Sequence, residues 1–191
     1  MSAKCAHSRH LGSLWSGVVT RSSLVVLVAE AEQLVGEQRL THDPMALRGV
    51  PAHVTVLHPF RSLVDELTAD RVATIASRVD AFDATFDSVD RFPGVVLFLS
   101  PEPLERFKSL TRTFVEAFPD CPPYGGAFAD PTPHLTIGSR IDDATADTVE
   151  QVIAPGLPVA TRVDRLTLLV EDDEGQWTVS RSWPLAEATV A

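Results

Sequence analysis

The chain has 191 residues, a hydrophobic fraction of 45%, and a formal charge of −10 from 26 acidic and 16 basic side chains. This length and composition are typical of a soluble globular protein with one substantial core or two small lobes. The acidic balance argues against an extended nucleic-acid surface, because such a surface needs many Lys and Arg side chains to neutralise phosphates. A nucleotide or short oligonucleotide held in one local pocket remains compatible with it.

Residues 1–21 are predicted to form a weakly ordered extension. The first 20 residues are too polar and interrupted for a signal peptide, and no apolar run reaches the roughly 18 residues that a membrane helix needs. Cys5 and Cys121 show no disulfide-framework spacing, which favours a reducing, cytoplasmic location. Cys5, His7 and His10 lie close together, but their spacing matches no standard zinc pattern. We therefore predict no metal site and no cofactor.

The first half of the chain is predicted to alternate strand, helix, strand, helix. Residues 23–28 form an apolar, β-branched run that is typical of a buried strand. An amphipathic helix over 30–40 ends near a proline, because proline disfavours the helical conformation in the residue before it. The next strand covers 53–57. A helix is then predicted from Thr68 to about Phe82, with the Thr68 hydroxyl as its N-terminal cap.

The second half contains the same kinds of element in a mixed order. The predicted strands cover 85–91, 95–100, 134–139, 163–171 and 177–183, and the predicted helices cover 101–118 and 142–153. A loop rich in Pro and Gly over 119–133 leads into the strand that begins at His134. Because strands and helices are interspersed in both halves, the sequence predicts an α+β fold.

One four-residue pattern occurs twice on these strands, as His53-Val54-Thr55-Val56 and His134-Leu135-Thr136-Ile137. We call these the two signature motifs. Successive side chains on a strand point to opposite faces, so each motif directs its His and Thr to one side and its apolar residues to the other. Two such strands side by side would place two imidazoles and two hydroxyls around one small anion. The alternative is a pair of core strands that happen to contain His.

The two motifs and their context resemble the 2H phosphoesterase superfamily, within the group of 2′-5′ RNA ligases and cyclic nucleotide phosphodiesterases. That family has two His-x-(Thr/Ser)-x motifs with apolar x, and both are complete here. The context is similar too, since Gly49-Val50-Pro51-Ala52 precedes His53 and Pro133 precedes His134. The resemblance implies a bilobal fold over 22–191 in which pseudo-twofold duplicated antiparallel sheets, backed by helices, surround a central cleft.

The resemblance also implies metal-independent phosphodiester chemistry. A 2′,3′-cyclic or related cyclic phosphate would be opened, or a 2′-5′ RNA linkage cleaved, with joining of such linkages as the reverse reaction. His53 and His134 would be the catalytic acid and base, since imidazole exchanges protons near neutral pH. Thr55 and Thr136 would donate hydrogen bonds to the phosphate oxygens. We expect His134 to be the base and His53 the acid, and the pseudo-symmetry leaves the reverse assignment open.

The expected partner is therefore a small cyclic nucleotide or an RNA terminus. Two alternatives keep the same residues but change their use. The first is a non-catalytic module that binds RNA ends or nucleotides, which the two intact motifs argue against. The second is a metal hydrolase, for which the chain lacks a His-x-x-x-His helix and any acidic residue beside the motifs.

Several further side chains are weaker candidates for the site. Phe60 could stack on a base and Arg61 could contact phosphate, with core packing and a solvated charge as alternatives. Tyr124, in the loop before the second motif, could reach the cleft from another side. His58 lies five residues after His53, so a regular strand would turn it to the other face, and we predict a structural role. Packing or solvent exposure is predicted for the terminal-hairpin residues Trp177, Trp183 and Arg181.

Overall fold

The computed structural model describes residues 21–92, 96–128 and 130–187, so the first 20 residues, with Cys5, His7 and His10, lie outside the described part. The strands are β1 (Ser22–Leu27), β2 (His53–Leu57), β3 (Phe82–Phe92), β4 (Val96–Glu102), β5 (Leu135–Ser139), β6 (Val159–Val163), β7 (Arg165–Glu171) and β8 (Trp177–Pro184). The helices are α1 (Glu32–His42), α2 (Glu66–Ala76), α3 (Leu104–Ala117) and α4 (Asp143–Ile153). No helix within these ranges is both long enough and apolar enough to cross a membrane.

The strands form two four-stranded sheets with the orders β2-β1-β7-β8 and β5-β4-β3-β6. Every neighbouring pair in both sheets is antiparallel. The two strands that carry the signature motifs, β2 and β5, therefore occupy the same edge position in their respective sheets. The predicted α+β architecture with two antiparallel sheets is confirmed.

The two halves of the chain repeat one order of elements. The first runs β1-α1-β2-α2-β3, and the second runs β4-α3-β5-α4-β6. The first helix of each half packs against the signature strand of the other half. Thus α1 contacts β5, and α3 contacts β2. The helices that follow the motifs begin alike too: Asp65 accepts a hydrogen bond from the Thr68 N–H, and Asp142 accepts one from the Thr145 N–H, each at 2.8 Å. This exchange of helices brings the two signature strands together.

The apolar residues of the signature motifs are in the core. Val54 and Val56 of β2 are buried in the same apolar cluster as Leu135 and Ile137 of β5. Each such side chain contributes roughly 1.5–3 kcal/mol when it is fully buried. A one-residue shift of either strand would expose its apolar pair and bury His and Thr in its place. Burial of the apolar residues therefore fixes the opposite face of each strand for the polar ones.

Two predicted helix starts are wrong. The helix predicted from Thr68 to Phe82 is the shorter α2, whose N-cap is Asp65, because the Asp65 carboxylate takes the free Thr68 N–H. Phe82 instead opens β3, where it lies opposite Val163 of β6. The helix predicted from Pro101 begins later, at the start of α3, because β4 continues through Glu102.

The strand predicted over 163–171 is two strands. β6 ends at Val163 and belongs to the second sheet. β7 begins at Arg165 and belongs to the first sheet, so only Asp164 separates the two strands. We did not predict β6, although Val159, Thr161 and Val163 are buried in strict alternation with exposed residues. The prolines and glycine just before it indicate a loop and conceal a short strand that follows them directly.

Candidate functional site

A cleft of about 270 Å³ lies where the two signature strands approach each other. His53 and Thr55 line it from β2, and His134 and Thr136 line it from the second strand. His134 directly precedes the first residue of β5. The structure thus brings the four motif side chains to one space, with both apolar pairs on the core side of their strands.

The two histidines are held in the same way. His53 Nδ1 lies 2.7 Å from the carbonyl oxygen of Pro51, and His134 Nδ1 lies 2.7 Å from the carbonyl oxygen of Thr132. A carbonyl oxygen can only accept a hydrogen bond, so Nδ1 carries the proton in each ring. In the neutral form, Nε2 is then left with its lone pair. Both imidazoles can therefore accept a proton at Nε2, and both can donate it once charged.

Burial favours the neutral form of both rings. Loss of water lowers the pKa of His53 from 6.5 to about 4, and the positive charges of Arg39, His134 and His58 act in the same direction. Burial also lowers the pKa of His134. A bound phosphate anion would oppose these effects, because a nearby negative charge stabilises an imidazolium. The cleft therefore takes up a proton more readily when an anion is present.

Tyr124 closes one side of the cleft. Its backbone N–H donates to the carbonyl oxygen of His58 at 2.6 Å, which ties the loop before the second motif to the end of the first. Burial raises the pKa of the Tyr124 phenol, and the neighbouring Thr55 side chain lowers it by a smaller amount. The phenol stays protonated, so it can donate a hydrogen bond beside the Thr55 hydroxyl. The loop before the second motif therefore reaches the cleft, and it contributes Tyr124 to the cleft wall.

The structure places Phe60 and Arg61 elsewhere, which corrects their expected positions at the cleft. The Phe60 N–H donates to the Ser22 carbonyl oxygen at 2.8 Å, so the segment after β2 continues along β1. The Phe60 ring is buried against Phe118, with ring centroids 5.1 Å apart. Arg61 pairs with Asp120 at 2.7 Å. Neither side chain lines the cleft, and core packing and an ion pair account for both.

His58 lies in the cleft wall, contrary to the position predicted for it. The prediction assumed that strand alternation continued, but β2 ends at Leu57, so the chain after it no longer alternates between faces. The His58 ring faces Trp177, with ring centroids 6.0 Å apart. Trp177 is only 4% exposed and also lines the cleft, so it packs as predicted and borders the site as well. The other hairpin predictions are confirmed, since Trp183 is buried and Arg181 pairs with Glu66.

Two arginines near the site were not predicted. Arg21, at the end of the predicted extension, lines the cleft and forms a two-pronged ion pair with Glu171 of β7. Arg39 of α1 is 2% exposed. Its Nε donates to the Thr136 carbonyl oxygen at 3.1 Å, and its terminal nitrogen donates to Asp43 at 3.1 Å. The contacts of Arg21 with Glu171 and of Arg39 with Thr136 join distant parts of the chain and leave no local signal in the sequence, whereas the pair of Arg39 with Asp43 is local.

The possible metal ligands are dispersed. Within residues 21–92, 96–128 and 130–187, no group of three or more His, Cys, Asp or Glu side chains is arranged to hold a metal ion. The polar side chains that line the cleft are mainly imidazoles and hydroxyls, with the Tyr124 phenol, the Arg21 guanidinium and the Asp43 carboxylate. These groups can donate and accept protons and hydrogen bonds around an anion.

Comparison with known proteins gives consistent matches. The family model of the 2′-5′ RNA ligase superfamily matches residues 26–175. A protein of Halalkalibacterium halodurans, named provisionally as a phosphoesterase, is 30% identical over 161 residues, which cover 82% of this chain and 91% of that protein. A Bacillus pumilus protein with the same provisional name is 27% identical over 164 residues and covers 82% of this chain and 91% of its own length.

Solved structures with the same fold include LigT of E. coli. Its complex with NADP⁺ aligns with a TM-score of 0.57 and 17% identity, covering 88% of this chain and 98% of LigT. Its complex with 3′-AMP aligns with a TM-score of 0.57 and 18% identity, covering 88% of this chain and 99% of LigT. At this identity the likeness concerns the fold, and both chains are covered almost throughout.

Proposed function

Because the chain belongs to the 2′-5′ RNA ligase superfamily and is a 2H-type phosphoesterase, we propose that it opens 2′,3′-cyclic or related cyclic phosphates, or cleaves 2′-5′ RNA linkages, by paired histidine catalysis. The observation that carries this proposal is the duplicated arrangement in the cleft. Two imidazoles with the same bond from Nδ1 to a carbonyl oxygen, each followed by a Thr two residues later, line one space.

The proposed reaction needs one proton removed and one proton supplied. One neutral imidazole takes a proton at Nε2 from the attacking water while the other, charged, gives one to the leaving oxygen. Oxygens around phosphorus gain negative charge as the reaction proceeds. The hydroxyls of Thr55 and Thr136 and the Tyr124 phenol, which line the cleft, would donate hydrogen bonds to them. Because these groups carry the chemistry, the proposed reaction uses no metal ion.

We propose an assignment of the two histidines in hydrolysis. Burial, with a contribution from the Arg39 charge, lowers the pKa of His53 to about 4, which favours the neutral form that a base needs. We therefore assign His53 as the base and His134 as the acid, which reverses the assignment suggested by the sequence. The joining reaction would use the same groups in exchanged roles, since a reaction and its reverse share one transition state.

The substrate is proposed to be a nucleotide or an RNA end. E. coli LigT, which shares the fold, binds NADP⁺ and 3′-AMP in its crystal structures. The cleft here is small, at about 270 Å³, and the chain is strongly acidic. A small cleft in an acidic protein favours a single nucleotide or a chain terminus over a long nucleic acid.

The first prediction concerns metal independence. Purified protein with no added metal is expected to turn over members of a panel of 2′,3′-cyclic mononucleotides and 2′-5′-linked and 3′-5′-linked oligonucleotides. Addition of EDTA should leave the rate unchanged, because protons and hydrogen-bond donors supply the catalysis. Activity that disappears with EDTA and returns with a divalent ion would establish the metal-hydrolase alternative. Tight binding across the whole panel without product would establish the binding-module alternative.

The second prediction concerns pH. The ratio kcat/KM reports the pKa values of the free enzyme, so its bell-shaped profile should be centred between the pKa values of the two histidines. Burial holds the pKa of His53 at about 4 and that of His134 below 6.5. The optimum of kcat/KM is therefore expected below pH 6.5, with activity lost above the His134 pKa as the acid loses its proton.

The profile of kcat at saturating substrate is the internal control for this prediction. The bound phosphate anion raises the pKa of both rings, so the optimum of kcat is expected at a higher pH than that of kcat/KM. An optimum of kcat/KM above pH 7 would contradict the effect of burial on the two rings.

A further inference from the structure

A second cavity adjoins the catalytic cleft. It has a volume of about 420 Å³ and shares His134, Tyr124 and Val96 with the cleft as common walls. Its other walls include the rings of Phe92 and Phe128. We call this cavity the aromatic slot. A group bonded to a phosphate between the two histidines would enter the slot on the His134 side.

The rings of the slot are oriented by contacts with the catalytic centre. Phe92 lies edge-to-face with His134, with ring centroids 5.1 Å apart and an interplanar angle of 88°. Tyr124 and Phe128 are also edge-to-face, with centroids 5.7 Å apart and an angle of 84°. Phe128 is 60% exposed, so much of its ring is free to contact a ligand. Open aromatic faces beside a phosphate site suit a planar heterocycle, because bases stack on such rings.

The slot also has a polar wall. Asp130 lines it with a carboxylate that accepts a hydrogen bond from Lys108 Nζ at 3.0 Å. An ionised carboxylate can only accept hydrogen bonds. It therefore favours the edges of cytosine, adenine and guanine, which present amino groups, over that of uracil, whose single N–H lies between two carbonyl oxygens.

We propose that the aromatic slot binds the nucleobase of the substrate and that Asp130 makes it select amino-bearing bases over uracil. This inference rests on the proposed function for the position of the phosphate. Phe128 supplies stacking for any base, and Asp130 supplies the discrimination. Cytosine and uracil have the same ring size, so their comparison separates discrimination by Asp130 from the stronger stacking of purines.

The test compares kcat/KM for cytidine, uridine and base-free ribose 2′,3′-cyclic phosphates. The wild type is expected to prefer cytidine over uridine by about 10-fold or more, a factor typical of one charge-assisted hydrogen bond. Asp130→Asn should bring this ratio close to one, because an amide can also donate to the uracil carbonyls. Asp173→Asn, which removes the same charge from an exposed position in the turn after β7, should keep the ratio.

Phe128→Leu tests the stacking. It should lower kcat/KM by about 10-fold or more for both nucleotides, as expected for the loss of one base–aromatic stack. It should lower kcat/KM much less for the base-free ribose substrate, because that substrate has no base to stack. Equal rates for cytidine and uridine in the wild type, with no effect of Phe128→Leu, would overturn the slot while the phosphodiesterase function stands.

Binding of 3′-CMP and 3′-UMP, measured by calorimetry, separates the slot from turnover. If no substrate is turned over but 3′-CMP binds more tightly than 3′-UMP, and Asp130→Asn removes the difference, then the slot stands and the proposed function fails. If neither nucleotide binds and no substrate is turned over, both fail.

Discussion

Replacing His53 or His134 with alanine is expected to lower kcat on a 2′,3′-cyclic phosphate by about 10²–10⁴-fold, the usual contribution of a positioned acid or base. Each variant removes one of the two proton-transfer groups and leaves the Thr hydroxyls and Tyr124 in place. Because the two imidazoles act in one step, the double variant should be little worse than either single variant. Steady-state kinetics on the purified variants measures this directly.

His42→Ala is the matched control. His42 is the last residue of α1, and its Cβ lies near Gly138 of β5, outside the cleft. The substitution keeps that Cβ and should leave kcat within about twofold, as expected of a change away from the reacting groups. Full activity of either His53→Ala or His134→Ala, with the control also active, would contradict paired histidine catalysis.

The convergence of the motif side chains could be predicted because it depends on a local rule. Alternation along a strand links the direction of His53 to the burial of Val54, so one core contact fixes both. The same rule fails at His58, because β2 has already ended at Leu57. It fails for Phe60 as well, because the chain there follows β1 and turns the ring towards Phe118. Predictions from alternation hold only as far as the strand extends.

Other parts of the site that the sequence did not predict depend on pairing over long distances. Arg21 and Trp177 reach the cleft because β1 pairs with β7, and that pairing is not visible in local periodicity, whereas the hairpin of β7 and β8 could be predicted from its turn. The start of α2 was mispredicted for a different, local reason. Asp65 and Thr68 are both good capping residues, and only the observed hydrogen bond shows that Asp65 is the one in use.

The crossed packing of helices explains how a duplicated chain forms one site. Each signature strand is an edge strand in its own sheet, so its outer side has no strand partner among the residues that the structure describes. α1 packs on β5 and α3 packs on β2, which joins each motif to the opposite half of the chain. Arg39 is the polar element of this junction, since it extends from α1 to the backbone of Thr136 in the second motif.

Arg39→Met is expected to destabilise the protein by about 3–5 kcal/mol, the usual consequence of breaking a buried ion pair from one side. Asp43 loses its partner inside the protein, and the carbonyl oxygens of Val50 and Thr136 each lose a donor. Denaturant unfolding measures the loss. Arg112→Met, at an exposed position on α3, should stay within about 0.5 kcal/mol. A second replacement, Asp43→Asn in the Arg39→Met protein, should recover part of the loss, since it removes the unpaired charge.

The same variant separates positioning from simple stability. The Arg39 charge is one cause of the low pKa of His53, so its removal should raise that pKa. With His53 as the base, the acidic limb of the kcat/KM profile then moves to higher pH, measured at a temperature where the variant is folded. A role in stability alone would lower the folded fraction without moving the limb. Displacement of Thr136 should also reduce kcat more than it changes KM, because its hydroxyl is proposed to act on charge that develops in the transition state. An unmoved acidic limb with an unchanged kcat would limit Arg39 to holding the two halves together.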